Sequence, residues 1–94
     1  MALLITAEMP GMTVEQYEKV SEAMGVSSAG DVDGLICHTA CATNGGMLIS
    51  DVWESKEVFE RFINERLMPA FEQVGVPATG QEPRIEQVHN HLHE

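Results

Sequence analysis

A glycine-rich turn, Thr43-Asn44-Gly45-Gly46, separates two apolar stretches and limits this chain to a small set of folds. Asn and Gly accept the positive φ that tight hairpins need, so residues 35–42 and 47–53 are predicted to pair as antiparallel strands. With Asn44 and Gly45 at the centre of the turn, residues at equal distances from it lie opposite each other. The predicted cross-strand pairs are Ala40 with Ile49, His38 with Asp51, and Ile36 with Trp53.

Patterns outside the hairpin predict two helices and two further strands. Residues 3–9 form the first strand, and a capping box at Thr13 opens a helix that Gly25 ends. Residues 55–74 form the second helix, which Pro69 is expected to kink or break. Residues 84–92 form the last strand. The order β-α-β-β-α-β predicts a ferredoxin-like α+β fold, with a four-stranded antiparallel sheet and both helices on one face, in a single domain spanning the whole chain.

Both faces of the predicted hairpin are apolar, since side chains alternate between two faces along a strand. Two helices on one side can cover only one face, and an exposed apolar area of this size is a liability. A homodimer would cover the second face with another copy of the chain. One face carries Leu35, Cys37, Cys41, Leu48 and Val52, and the other carries Ile36, Ala40, Met47, Ile49 and Trp53.

Charge and cysteine content exclude several classes of partner. The chain has 15 acidic and five basic residues among 94, which gives a formal net charge of −10. Such a protein should repel phosphate backbones and anionic lipid, so neither nucleic acid nor a membrane is an expected partner. No segment reaches the length of a membrane span. Cys37 and Cys41 are too far apart along one strand face for a disulfide, which favours small core thiols in a reducing cytoplasm.

The stretch Asp51-Val-Trp-Glu-Ser-Lys-Glu-Val-Phe-Glu-Arg-Phe62 follows a glycine hairpin and precedes Arg66-Leu-Met-Pro69. With Val88-His89-Asn90, it resembles the antibiotic biosynthesis monooxygenase-like group of the dimeric α/β-barrel superfamily. The resemblance implies a homodimer whose two sheets enclose a cavity, into which the tryptophan at the position of Trp53 looks. Heme-degrading relatives carry a ligating histidine on the second helix. Residues 55–74 contain no histidine, so heme ligation of that kind is not expected. The chain also has no glycine-rich phosphate loop, and no cofactor is predicted.

His38 and Asp51 share the face of Trp53 by strand parity and are therefore expected in the same cavity. The Cβ atoms of a cross-strand pair lie about 5 Å apart, close enough for a hydrogen bond between a carboxylate and an imidazole. A carboxylate that orients a histidine raises its basicity, which suits a general base. The alternative interpretation is a buried polar pair that holds the strands in register. Trp53 itself either stacks on a flat ligand or fills the barrel.

His89 is a third catalytic candidate, because it would face the barrel if Val88 faces the helices. Its alternative position is at the edge of the sheet, on the dimer boundary. His89, His91 and His93 alternate along the chain, but histidines at a chain terminus often bind metal only adventitiously, so no native metal site is predicted. The predicted substrate contacts are Trp53, Ile36, Ile49, Met47 and Thr6.

Three functions remain open from the sequence. The first is a cofactor-independent enzyme in which His38, oriented by Asp51, removes a proton from a hydrophobic aromatic or polyketide-like molecule. The resemblance implies oxygenation of the resulting carbanion by O2, although the same base would serve isomerisation or cyclisation. The second is a barrel that only binds a small molecule, and the third is an accessory domain with a filled interior. A cavity containing His38 and Asp51 favours catalysis, whereas an apolar cavity favours binding.

Overall fold

The computed structural model describes residues 2–76 and 82–92. Within them the four strands form one antiparallel sheet in the order β2-β3-β1-β4, with the helices packed on one face. The predicted ferredoxin-like α+β fold is therefore confirmed. The elements are β1 (Leu3–Pro10), α1 (Val14–Met24), a 3-10 turn (Ala29–Asp31), β2 (Leu35–Thr43), β3 (Gly46–Trp53), α2 (Lys56–Phe62), a π segment (Ile63–Leu67), α3 (Met68–Val74) and β4 (Arg84–Gln87).

The ends of α1 are fixed by the residues that the sequence singles out. Thr13 and Gln16 form a reciprocal capping box, in which each side chain accepts the backbone N–H of the other residue at 3.0 Å. These two bonds satisfy N–H groups that have no partner within the helix. At the other end Gly25 takes the left-handed conformation, with φ of 73°, and ends the helix. Helix α1 therefore begins and ends where the sequence predicts.

The second predicted helix continues past Pro69 but changes its hydrogen bonding before it. Proline has no N–H to donate, and its ring crowds the carbonyl four residues earlier. The backbone widens into the π segment, in which the Met68 N–H bonds the Ile63 carbonyl five residues back. Of the two predicted outcomes, a kink or a break, the break does not occur, because the helix continues through a π turn just before the proline. No helix in the described ranges is long and apolar enough to cross a membrane.

The hairpin has the predicted register over most of its length. Ala40 lies opposite Ile49 and His38 lies opposite Asp51. Only glycines have positive φ among the described residues. In this turn Gly45, with φ of 96°, has a positive value, and Asn44 and Gly46 do not. Positive φ at the second central position is what a type II turn requires, which differs from the pair of positive φ values expected for Asn-Gly.

Gly46 is required for a different reason, because the backbone of β1 passes very close to it. A Cβ at this position would stand 2.4 Å from the Met9 carbonyl oxygen. Another residue here would push the two central strands apart.

The hydrophobic core lies between the helices and the face of the sheet that carries Met47 and Trp53. Met47 packs with Val20 of α1 and Phe71 of α3 in one cluster. Trp53 is fully buried in a second cluster and contacts Phe59 of α2, at 5.5 Å between ring centroids. The sequence prediction placed this face toward a second sheet. That prediction is wrong, because this face holds the bulky aromatic side chains that the helices cover.

The opposite face of the sheet carries no helix within the described residues. We call it the outer face; it comprises the side chains of Leu4, Thr6, Glu8, Cys37, Thr39, Cys41, Thr43, Leu48, Ser50, Val52, Arg84 and Glu86. Leu4 is 36% exposed, whereas Val52 is buried between its cross-strand neighbours. The outer face thus mixes aliphatic side chains with hydroxyl groups and with the charged side chains of Glu8, Arg84 and Glu86.

Candidate functional site

Four polar groups form one hydrogen-bonded chain between the sheet and α1. The Tyr17 hydroxyl lies 2.5 Å from His38 Nε2, and His38 Nδ1 lies 2.5 Å from Asp51 Oδ1. The second carboxylate oxygen, Oδ2, accepts the Trp53 indole N–H at 3.2 Å. The Tyr17 and His38 rings are nearly parallel, with 3° between their planes. The predicted pairing of His38 with Asp51 is therefore present, and it extends at both ends.

This hydrogen-bonded chain of side chains runs from the core to the surface. Trp53 is fully buried, Asp51 is 9% exposed, and the His38 side chain is 33% exposed. Strand pairing between β2 and β3 sets His38 opposite Asp51, and α1 lies across them so that Tyr17 reaches the outer nitrogen of the imidazole. Tyr17 is not among the residues that the sequence predicts for the site. A hydroxyl on the sheet-facing side of α1 is the signal that points to a polar partner there.

The Asp51 carboxylate affects the protonation of both His38 and Tyr17. The hydrogen bond that His38 donates to Asp51 raises the pKa of His38 above its usual value, against the opposing effect of burial. Burial raises the pKa of Tyr17, the negative charge of Asp51 raises it further, and a hydrogen bond with Ser21 opposes both. Tyr17 is therefore a neutral phenol at pH 7, while His38 gains a proton more readily than a free imidazole.

The geometry fixes the roles of the two ring nitrogens. An ionised carboxylate can only accept, so His38 Nδ1 carries the hydrogen that it donates to Asp51. In the neutral imidazole, Nε2 then has its lone pair toward Tyr17 and accepts the phenol O–H. When His38 is protonated, Nε2–H donates to the phenol oxygen instead. The arrangement can therefore take a proton at its outer end and hold the resulting cation against Asp51.

The predicted location of these residues in a cavity between two sheets is wrong. His38, Asp51 and Trp53 all lie on the helix-facing side of the sheet, in contact with α1 or α2. Met47 and Ile49 share this side, and Met47 is buried against α1 and α3. Parity correctly grouped the five residues, but the group belongs to the layer between sheet and helices. The resemblance had suggested the opposite face for Trp53.

Two other predicted site residues, Ile36 and Thr6, lie away from this hydrogen-bonded chain. Ile36 lies at a β-bulge, so that Leu35 and not Ile36 is opposite Trp53, and Ile36 is 39% exposed. Thr6 lies on the outer face, paired with Ser50. These positions exclude both from direct contact with His38.

His89 is also separate from the candidate site. Strand β4 ends at Gln87, five residues before the predicted Leu92, and His89 follows it in an exposed position. Strands β1 and β3 lie between β4 and the strand of His38, which places these two strands about 14 Å apart at the usual strand spacing. A joint site of His38, Asp51 and His89 is therefore not formed. No group of metal-binding side chains is found among the described residues, and His93 lies outside them.

A surface depression of about 390 Å³ borders the outer end of the hydrogen-bonded chain. Its lining is mostly apolar, and Tyr17 forms part of its wall. The depression is shallow and wide open to solvent, so a ligand in it would keep one side exposed. We call it the α1 depression; its lining residues are Tyr17, Glu18, Ser21, Glu22, Gly25, Val26 and Ser27.

A second, smaller cleft of about 170 Å³ lies beside the π segment. Its residues include Arg66, whose guanidinium donates to the carbonyl oxygens of Met24 at 2.6 Å and Asp31 at 2.9 Å. Arg66 thus ties the π segment to the end of α1 and to the 3-10 turn, which is a structural role.

Comparison with known proteins identifies several solved structures of similar fold. No protein-family model matches the chain, and no curated protein sequence matches it. SnoaB, a cofactor-independent oxygenase from Streptomyces nogalater, superposes with a TM-score of 0.64 at 14% identity, over 99% of this chain and 97% of SnoaB. A candidate antibiotic biosynthesis monooxygenase from Chloroflexus aurantiacus gives 0.65 at 15% identity, over 97% of each chain. A candidate of the same name from Deinococcus radiodurans gives 0.58 at 10% identity, over 100% of this chain and 98% of that one.

These comparisons confirm the resemblance at the level of fold. The superposition covers nearly the whole of each chain, so the agreement is not confined to one supersecondary motif. The chain therefore has the ferredoxin-like fold of antibiotic biosynthesis monooxygenase-like domains. At 10–15% identity the likeness does not extend to individual side chains, so function must be argued from the chain of Tyr17, His38, Asp51 and Trp53.

Proposed function

We propose that this protein is a cofactor-independent enzyme that removes a proton from a hydrophobic aromatic or polyketide-like ketone. His38 is the general base, and Asp51 holds its Nδ1–H and stabilises the imidazolium that forms. The observation that carries this proposal is the hydrogen bond of 2.5 Å between His38 Nδ1 and Asp51 Oδ1, which leaves Nε2, bonded to the Tyr17 hydroxyl, as the nitrogen that can take up a proton.

Two further observations support a catalytic role. Asp51 is itself held by the Trp53 N–H, so the carboxylate cannot rotate away from the imidazole without breaking a buried bond. A base oriented by an anchored carboxylate is preorganised for proton transfer. The fold is also shared with SnoaB, which is a cofactor-independent oxygenase. That likeness favours oxygenation over other reactions that begin with the same step.

The proposed reaction needs no external reductant. Base removes one proton from a CH2 group that a carbonyl acidifies, which leaves a resonance-stabilised carbanion. The carbanion gives its electrons to O2 and forms a C–O bond, and protonation of the peroxide yields a hydroperoxide. Loss of water then converts this carbon to C=O. One oxygen atom enters the product, the other leaves as water, and the substrate supplies all four electrons.

Replacement of His38 by glutamine is expected to abolish proton removal. A suitable probe is 2-tetralone, a neutral aromatic ketone, whose hydrogens beside the carbonyl exchange with D2O when an enolate forms. We expect wild-type protein to accelerate this exchange above buffer, and His38→Gln to reduce the acceleration by about 100-fold or more. Nuclear magnetic resonance follows the exchange directly. It reports the first step shared by oxygenation, isomerisation and cyclisation.

Two controls make this result specific. His89→Gln removes an exposed histidine at the other edge of the sheet and should leave exchange unchanged. Wild-type exchange in His38→Gln would remove His38 from the mechanism. Oxygen consumption with the same probe separates the reactions, because oxygenation uses one O2 for each product molecule. Exchange without oxygen consumption would instead favour an isomerase or cyclase.

The proposal includes a homodimer formed through the outer face. Support comes from the partly exposed aliphatic side chains of that face, which no described helix covers, and from the small size of the chain. In this arrangement each copy keeps its own hydrogen-bonded chain, on the side away from the partner. The dimer would stabilise the sheet and would not complete the site.

Sedimentation at micromolar concentration is expected to give twice the mass of one chain. Leu48→Lys places an ammonium opposite Glu8 on the outer face and should produce monomers, since burying charged groups in an interface is costly even when they are paired. Val14→Lys is the matched control, because Val14 is an exposed aliphatic residue on α1, 48% accessible to solvent. A wild-type monomer, or a Leu48→Lys protein that still dimerises, would contradict this assembly.

A further inference from the structure

The proposed base does not face open solvent, because Tyr17 covers its only available nitrogen. The lone pair of a neutral His38 at Nε2 points to the Tyr17 hydroxyl at 2.5 Å, while Nδ1 is held by Asp51. A substrate proton therefore has no direct path to the imidazole in this arrangement. Either the phenol moves aside, or the phenol itself carries the proton.

We propose that Tyr17 is the catalytic residue that exchanges a proton with the substrate, and that the α1 depression is where a neutral aromatic ketone binds. This inference rests on the proposed function and names the substrate site within it. Tyr17 belongs both to the hydrogen-bonded chain and to the wall of the depression. Tyr17 therefore links the buried carboxylate of Asp51, through His38, to a ligand in that depression.

Every proton in the proposed transfer is accounted for by the substrate and the hydrogen-bonded groups Tyr17, His38 and Asp51. The substrate C–H proton passes to the phenol oxygen as the phenol O–H proton passes to His38 Nε2. The products are an enolate, a neutral Tyr17 and an imidazolium paired with Asp51. The reverse movement returns the proton to a peroxide or to carbon. Free phenolate beside Asp51 would be unfavourable, since burial and the charge of Asp51 both raise the Tyr17 pKa, so the two transfers must be coupled.

The charges around the depression define the ligand class. Glu18 and Glu22 lie on its rim, on a protein of formal net charge −10. They disfavour a carboxylate or phosphate ligand through like-charge repulsion. The mostly apolar lining favours a flat hydrophobic body. A neutral aromatic ketone satisfies both conditions, and its carbonyl-activated C–H would need to reach only the phenol at one end of the site.

The decisive experiment uses the fact that Tyr17 is the only tyrosine of the chain. Biosynthetic replacement of tyrosine by fluorotyrosines of increasing acidity therefore changes the phenol of residue 17 alone. With 2-tetralone in D2O, we expect the exchange rate to change steadily along the series, because proton transfer follows the acidity of the carrier. A tyrosine that only supports the structure would give the same rate throughout. That flat result would overturn the proposal.

Tyr17→Phe gives a second, independent measurement. It keeps the ring and removes the hydroxyl, and we expect exchange to fall at least about tenfold. If Tyr17→Phe is fully active while His38→Gln is inactive, the Tyr17 inference fails and the proposed function stands. If both variants are fully active, the proposed function fails. Circular dichroism confirms that each variant is folded, so a loss of exchange is not a loss of structure.

The location of the ligand is tested by obstruction. Glu22→Trp fills the α1 depression from an exposed position, and Glu15→Trp puts the same side chain on α1 outside it. We expect Glu22→Trp to raise KM for 2-tetralone about tenfold, and Glu15→Trp to leave it unchanged. Equal KM values in the two variants would place the ligand elsewhere.

Discussion

Trp53→Ala is expected to lower the free energy of unfolding by about 3–5 kcal/mol. The indole is fully buried between the sheet and α2, with its ring 5.5 Å from Phe59 and 5.1 Å from Phe62. Its removal leaves a large cavity and deprives Asp51 of the N–H at Oδ2. A domain of this size has about 5–14 kcal/mol of stability in total, so the variant approaches the limit of folding. Urea unfolding measures the loss. It is followed by circular dichroism, because Trp53 is the only tryptophan and its replacement removes the tryptophan fluorescence.

Trp53→Phe is the matched control for this change. It retains an aromatic ring in the core but loses the N–H, so we expect a smaller loss, about 1–3 kcal/mol. Both variants should be compared with wild type at one protein concentration, because dimerisation would make the apparent stability depend on concentration. A loss below about 1 kcal/mol for Trp53→Ala would mean that the indole lines open space, as the sequence had suggested.

The sequence predicted the hairpin and its pairing near the turn, because Asn44 and Gly45 set the register that places His38 opposite Asp51. The predicted pairing of Ile36 with Trp53 is wrong, because a β-bulge shifts the register farther from the turn. The sequence could not show which face of the sheet meets the helices, because both faces carry aliphatic side chains. Alternation along a strand shows which residues share a face, but it does not show whether that face meets the helices. Trp53 was the informative residue: a side chain of that volume needs aromatic neighbours, and the second helix offers Phe59 and Phe62.

The candidate site was predictable only where its members are paired strand residues. His38 and Asp51 were found from register, whereas Tyr17 comes from a different element 21 positions away from His38 in sequence. Its contact depends on how α1 lies across the sheet, and local patterns do not contain that information. His89 was misplaced because β4 ends early, at Gln87. The predicted pattern of alternating histidines therefore does not continue as a strand.

Arg66→Ala is expected to lower the free energy of unfolding by about 2–4 kcal/mol, through loss of two charge-assisted hydrogen bonds worth about 1.5–3 kcal/mol each. One guanidinium donates to the carbonyls of Met24 and Asp31, so their energies do not simply add. The first of these carbonyls is at the C-terminal end of α1, where a helix has unsatisfied acceptors and favours a cation. Urea unfolding of the variant measures the loss.

Two matched variants separate geometry from charge. Arg66→Lys keeps the cation, but its ammonium cannot span both carbonyls as a planar fork does, so it should recover less than half of the loss. Arg61→Ala removes an exposed arginine from the same helix and should change stability by less than about 0.5 kcal/mol. Full stability of Arg66→Lys would mean that charge alone matters. The planar guanidinium that the π segment places at the end of α1 would then not be needed to hold that helix, which carries Tyr17.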